Sequence, residues 1–177
     1  MTISREAQQA YAECVPFYRD TELSPEILAL YRVGIIICEP TFCDATYKFG
    51  GLAALHRYLI ISANARCLDD FSAHPEWGLC VWLPRCIFKV IGMHRQGAHA
   101  QITLLEIPQE FINELAGQNL SEMEQFFAQQ AELKFVEALQ LPALSDHKTQ
   151  QWLERTRLPI GVNDAGHFFP VQLSAAV

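Results

Sequence analysis

No cluster of lysine or arginine longer than two occurs in this chain, and no apolar run approaches the ~20 residues that span a bilayer as a helix. Charge of either sign is scarce, at 19% of residues, and the acidic sign prevails: 20 Asp and Glu against 13 Lys and Arg, a net charge of −7. Phosphate neutralisation supplies much of the affinity for nucleic acid, so a scattered basic complement argues against that partner. A basic protein is the better expectation, because an acidic surface attracts and steers it. The N-terminus, MTISREAQQAYAEC, lacks the basic start, apolar stretch and cleavage site of a secretory signal. A cytoplasmic protein outside the membrane is expected.

Also missing are the spacings that announce a cofactor. Gly50-Gly51 lacks the surrounding glycines and the lysine of a phosphate loop. No Cys-x-x-Cys or His-Glu-x-x-His occurs, so neither a metal nor a cofactor such as NAD or ATP is called for. There is no internal repeat, low-complexity tract or linker, and residues 1–177 read as a single domain.

What is present is apolar material, 50% of the residues. A chain this long can bury roughly 70% of its unfolded surface. The light surface charge leaves apolar patches for a partner or a second copy of the chain. Most of the six cysteines lie inside apolar runs, as in Ile36-Ile37-Cys38 and Leu79-Cys80-Val81. Reduced thiols that pack as small hydrophobes are expected.

Helix signals stand at both ends of the chain. Ser4 caps a run through Ala7 and Tyr11, and Ser24-Pro25-Glu26 opens a second helix. Pro108 opens a helix carrying Phe111, Ile112 and Leu115 that closes near Gly117. Ser121 and Glu124 form a capping box for a long helix through Leu139, and Ser145 caps a last one through Trp152. Strands are expected at Val33–Cys38, Arg57–Ala63, Leu79–Leu83, Cys86–Met93 and Ile102–Ile107, with a further edge strand at Phe168–Leu173. The predicted fold is α+β: a mainly antiparallel sheet of about four to six strands, flanked by N-terminal and C-terminal helices.

The central hairpin supplies the first candidate site. With Arg95–Ala98 as its loop, His94 faces His99, Gly92 faces Gln101, Lys89 faces Leu104 and Phe88 faces Leu105. Two histidines about 5 Å apart at Cβ can relay a proton, or can simply be a solvated pair. Lys89 and Glu106 fall within a diagonal, as an ion pair or as two solvated charges. Arg57 is a candidate anion holder, as is Arg32. In the loop GVNDAGHFFP, Asp164 and His167 stand beside Asn163 in a composition that suits either a site or a turn. Cys43, in the least regular stretch, is expected to be the most exposed thiol, but the adjacent Asp44 carboxylate disfavours a thiolate.

Leu30-Tyr31-Arg32, followed by Ile60-Ile61-Ser62, resembles the Arg…Ser…Glu order of ADP-ribosyltransferases over a few residues. Those enzymes place a catalytic glutamate in a later strand. Ala100-Gln101 stands roughly there, and Glu106 follows five residues on. No family is assigned on this basis. The reading is a non-catalytic protein-binding module of inhibitor, immunity or adaptor type with an acidic surface. Its alternative is a small transferase or hydrolase with a histidine-containing site at the hairpin end or the C-terminal loop. The binding residues are His94, His99, Arg57, Asp164 and His167.

Overall fold

The computed structural model describes residues 4–115 and 119–171. Eight strands form one sheet: β1 (Val15–Thr21), β2 (Ile36–Glu39), β3 (Cys43–Thr46), β4 (His56–Ser62), β5 (Arg66–Cys67), β6 (Leu79–Trp82), β7 (Cys86–Gln96) and β8 (His99–Glu106). Their order is β2-β7-β8-β4-β1-β3-β6-β5. β4 and β8 run parallel while the other pairs are antiparallel. The α+β class stands, but the expected antiparallel sheet of four to six strands is corrected to a mixed sheet of eight. Five α-helices accompany it among the described residues: α1 (Arg5–Ala12), α2 (Pro25–Leu28), α3 (Ile112–Leu115), α4 (Glu122–Ala138) and α5 (Gln150–Arg155).

The expected caps form. Ser4 Oγ accepts from Ala7 N and Ser24 Oγ from Ile27 N. Ser121 and Glu124 each accept from the other's backbone N–H. The last helix is capped by Thr149 instead of Ser145, which begins a 3₁₀ turn. The closure expected near Gly117 lies outside the described residues. Phe168–Leu173 forms no strand over its described part, but Cys38 N donates to Phe169 O and Val171 N to Ile36 O. This segment therefore covers the outer edge of β2, which would otherwise present unpaired backbone groups.

The hairpin turns at Gly97-Ala98 alone, so His94 pairs with Gln101 and Gln96 with His99. An irregularity between Val90 and Gly92 then shifts the ladder by one residue, and Phe88 pairs with Glu106. A one-residue shift moves side chains to the opposite face. Phe88, Val90, Ile102 and Leu104 share one apolar cluster, while Ile87, Ile91, Leu105 and Ile107 join α1 and α4 in another. Phe88 and Leu105 thus lie on opposite faces. Trp82 meets both Phe17 and Phe88, at ring centroid distances of 5.1 and 6.2 Å. Strands distant in sheet order share this core, so the sheet curls around it.

Two carboxylates sit deep in the fold with cationic partners. Arg57 Nε and Nη2 reach Asp20 Oδ1 and Oδ2 at 2.6 and 2.8 Å, and Lys89 Nζ reaches Glu124 Oε1 at 2.8 Å. Lys89 thus pairs with α4 and not with Glu106. Cys67 and Cys80, directly opposed in the β5–β6 register, form a disulfide, which corrects the expectation of six reduced thiols, while Cys14, Cys38, Cys43 and Cys86 are free. No helix among the described residues is long and apolar enough to cross a membrane.

Candidate functional site

The expected site residues do not converge. His94 is half-buried under α4, with Nδ1 3.8 Å from Glu132 Oε1, and burial lowers its pKa below the ordinary 6.5. His99 instead points Nδ1 toward Leu55 O at 3.3 Å. Arg57 is engaged on all sides: beyond Asp20, it donates to Gly50 O and Gly51 O at 2.9 and 3.0 Å. His167 and Asp164 are exposed in a turn that Asn163 Oδ1 closes by accepting from Ala165 N and His167 N. Of the Arg32, Ser62 and Glu106 order, Ser62 and Glu106 hydrogen-bond each other, while Arg32 is exposed beyond α2. Among the described residues, no group of three or more His, Cys, Asp or Glu could hold a metal ion.

A cation that the sequence did not single out makes the strongest site. Arg19 lies in β1 and is only 5% exposed. Its Nε donates to Thr156 O at 3.3 Å, Nη1 to Asp44 O at 3.2 Å and toward Cys43 Sγ at 3.9 Å, and Nη2 to Leu158 O. These contacts use four of the five guanidinium N–H donors. Among the described residues, no carboxylate forms an ion pair with it. A buried charge is costly unless an opposite charge compensates it.

Arg19 forms the floor of a cleft of about 350 Å³ whose rim carries Phe42, Arg155, Asn163 and Asp164. Phe42 is 61% exposed, an aromatic face open to the cleft mouth. Arg155 is set by Asp44, Nε to Oδ2 at 2.8 Å. Glu39 also lines the cleft, but its carboxylate is committed to the loops: Oε1 accepts from Thr41 N and Oγ1, and Oε2 from Gly161 N. Gly161 has φ of +77°, a conformation glycine adopts without cost, and this aims its N–H at Glu39. Behind the cleft, Tyr58 donates to Tyr31 Oη at 2.7 Å and Tyr31 to Ile160 O at 2.6 Å. These bonds pin the C-terminal segment.

Cys43, expected to be the most exposed thiol, is instead wholly buried beside the guanidinium, and burial outweighs that cation and pushes the thiol up to about 12. It stays protonated at neutral pH and is no nucleophile. The cleft can hold an anion and stack a ring, and the carboxylate of Asp164 can accept from hydroxyl groups. Nothing in the segment VPFYRDT marks Arg19 as special.

No protein-family model matches the chain, and no curated protein does. Among solved structures it is similar to the type III effector XopAI from Xanthomonas axonopodis pv. citri, with 14% identity over 55% of this chain and 44% of that one, at TM-score 0.49. It is also similar to ADP-ribosyltransferase HopU1 of Pseudomonas syringae pv. Tomato, with 17% identity over 53% and 45% of the two chains, at TM-score 0.48. A third is exoenzyme S from Pseudomonas aeruginosa, solved with human 14-3-3 protein beta and carba-NAD: 10% identity, 71% and 59% covered, TM-score 0.47. The chain spans about half the length of these structures. The expectation of a non-catalytic binding module is corrected here. The solved structures it is similar to are a type III effector, an ADP-ribosyltransferase and an exoenzyme, not inhibitors or adaptors.

Proposed function

We propose that the protein is a small transferase that takes a nucleotide-type phosphate ester in the Arg19 cleft. The observation that carries this reading is the buried guanidinium of Arg19, without a carboxylate partner among the described residues, at the floor of a cleft with an exposed aromatic rim. Phosphate oxygens take the remaining Nη2–H and the charge of Arg155. The base lies against Phe42, and ribose hydroxyls donate to Asp164. With Cys43 protonated, the cleft holds no activated thiol. Cys43 therefore takes no covalent part in the transfer.

NAD, ATP and inorganic phosphate are the probes for a thermal-shift and calorimetric test. A ligand at a hundred times its Kd stabilises the fold by about 2.7 kcal/mol, several degrees in Tm for a domain of this size. The expected result is stabilisation by a nucleotide and little by phosphate alone. Phe42→Ala should weaken nucleotide binding about tenfold, the loss of one stacked ring, while leaving the unliganded Tm nearly unchanged. Equal binding of nucleotide by Phe42→Ala, or none by the parent protein, overturns the reading.

A further inference from the structure

A second cleft, larger at about 480 Å³, is built around Glu106. This residue ends β8 and is only 8% exposed. Its Oε2 accepts from Ser62 Oγ, and from Trp82 Nε1 at 3.2 Å; Trp82 Nε1 also reaches Ser62 Oγ at 2.9 Å. Among the described residues, no group donates to Oε1, and no lysine, arginine or histidine forms an ion pair with this carboxylate. One oxygen is thus fixed by the fold and the other is left for the cleft.

Two exposed arginines line the same cleft. Arg66 opens β5, and Arg85 stands in the turn between β6 and β7. Neither forms an ion pair with a described residue. Arg85 has φ of +70°, uncommon for a side chain of its size. Its N–H is tied to Glu39 O at 2.7 Å, which fixes the turn. Between the charges the wall mixes apolar Trp82, Leu83, Ile87 and Pro108 with polar Asn64 and Gln109, and an exposed second carboxylate, Glu110, stands at its edge. The volume falls in the range of small-molecule sites, roughly 300–1,000 Å³.

A purely anionic ligand would set its charge against Glu106, and a purely cationic one would meet two arginines. We infer that the Glu106 cleft binds a small zwitterion of the α-amino-acid type with an apolar side chain. The ammonium donates to Glu106 Oε1, the carboxylate lies at Arg66 and Arg85, and the side chain packs on Trp82 and Leu83. Charge-assisted hydrogen bonds of this kind are the stronger ones in partly desolvated sites. The inference stands on this cleft alone and does not require the Arg19 site.

Three probes of the same skeleton test it: L-leucine, 3-methylbutylamine and 4-methylpentanoate. Each is titrated into the isotope-labelled full chain, with the Trp82 indole N–H resonance and calorimetry as readouts. Leucine is expected to bind at least about tenfold more tightly than the amine or the acid. Arg85→Gly suits the backbone at that position, so it should fold, lose leucine affinity about tenfold and leave amine binding unchanged. Glu106→Gln should lose both leucine and amine. Because Glu106 also bonds Ser62 and Trp82, Arg66→Gln provides a surface variant should Glu106→Gln fail to fold. No leucine binding at about 10 mM overturns the inference. So does leucine affinity no greater than that of the amine or the acid, or Arg85→Gly and Arg66→Gln both binding leucine as the parent does.

Discussion

Lys89 and Glu124 are almost wholly buried and meet at 2.8 Å, with Lys89 Nζ also donating to Leu115 O at 3.0 Å. Removing one partner leaves an uncompensated charge in the core between β7 and α4. Lys89→Ala is expected to cost about 3–5 kcal/mol in urea unfolding. The double variant Lys89→Met, Glu124→Leu should cost clearly less than the sum of its two single changes, because the charges leave together. A sum of the singles equal to the double would mean that the pair is not coupled. At this scale the sequence misleads for a physical reason. A buried, paired lysine or arginine has the same letters around it as a solvated one, so Lys89 reads as a partner of Glu106 or a solvated charge, and Arg57 as an anion holder. Arg19, whose carbonyl partners lie 25, 137 and 139 positions away, left no local trace.

Elements whose signals are local were legible. The caps at Ser4, Ser24 and Ser121 and the strands near β4, β6, β7 and β8 follow from capping chemistry and β-branched runs. Strands β1, β3 and β5 were not. β1 contains Pro16 and the buried charges of Arg19 and Asp20, β3 reads Cys-Asp-Ala-Thr, and β5 has two residues. They exist because neighbours hold them: β1 by seven register pairs with β4, and β5 by β6 and the Cys67–Cys80 disulfide. The hairpin is legible in the sequence, but its tighter turn and its bulge are not, so the cross-strand partners differ from those the spacing predicts. Two measurements belong here. Alkylation under denaturing conditions without reductant should modify four cysteines of the six. The double change of Cys67 and Cys80 to serine should cost about 3 kcal/mol, as expected for a crosslink closing a loop of this size. Six modified cysteines in the unreduced protein would remove the crosslink from the native fold.

Over the whole molecule, three histidines share one response to pH. Burial lowers the pKa of His56, His94 and His147 below the ordinary 6.5, against the opposing pull of Glu22 on His56, Glu132 on His94, and the Trp77 carbonyl and then Asp20 on His147. His56 Nδ1 accepts from Leu23 N at 3.1 Å, a bond that a proton on that nitrogen would break. The unfolded chain takes up protons first, so the stabilising contribution is complete above about 6.5 and is lost as the pH falls through the lowered folded values. Urea midpoints should therefore drop between about pH 7 and pH 5, before most carboxylates titrate. A flat profile across that window would mean these histidines are solvated. The Arg19 cleft carries one further consequence. Its floor joins Arg19 to Leu158 across 139 positions of chain. At roughly 5–20 residues per second, the ribosome makes the first half of this contact many seconds before the second. Throughout that interval the nascent chain holds an unfinished β1, with its guanidinium still hydrated, and the Arg19 cleft cannot yet exist.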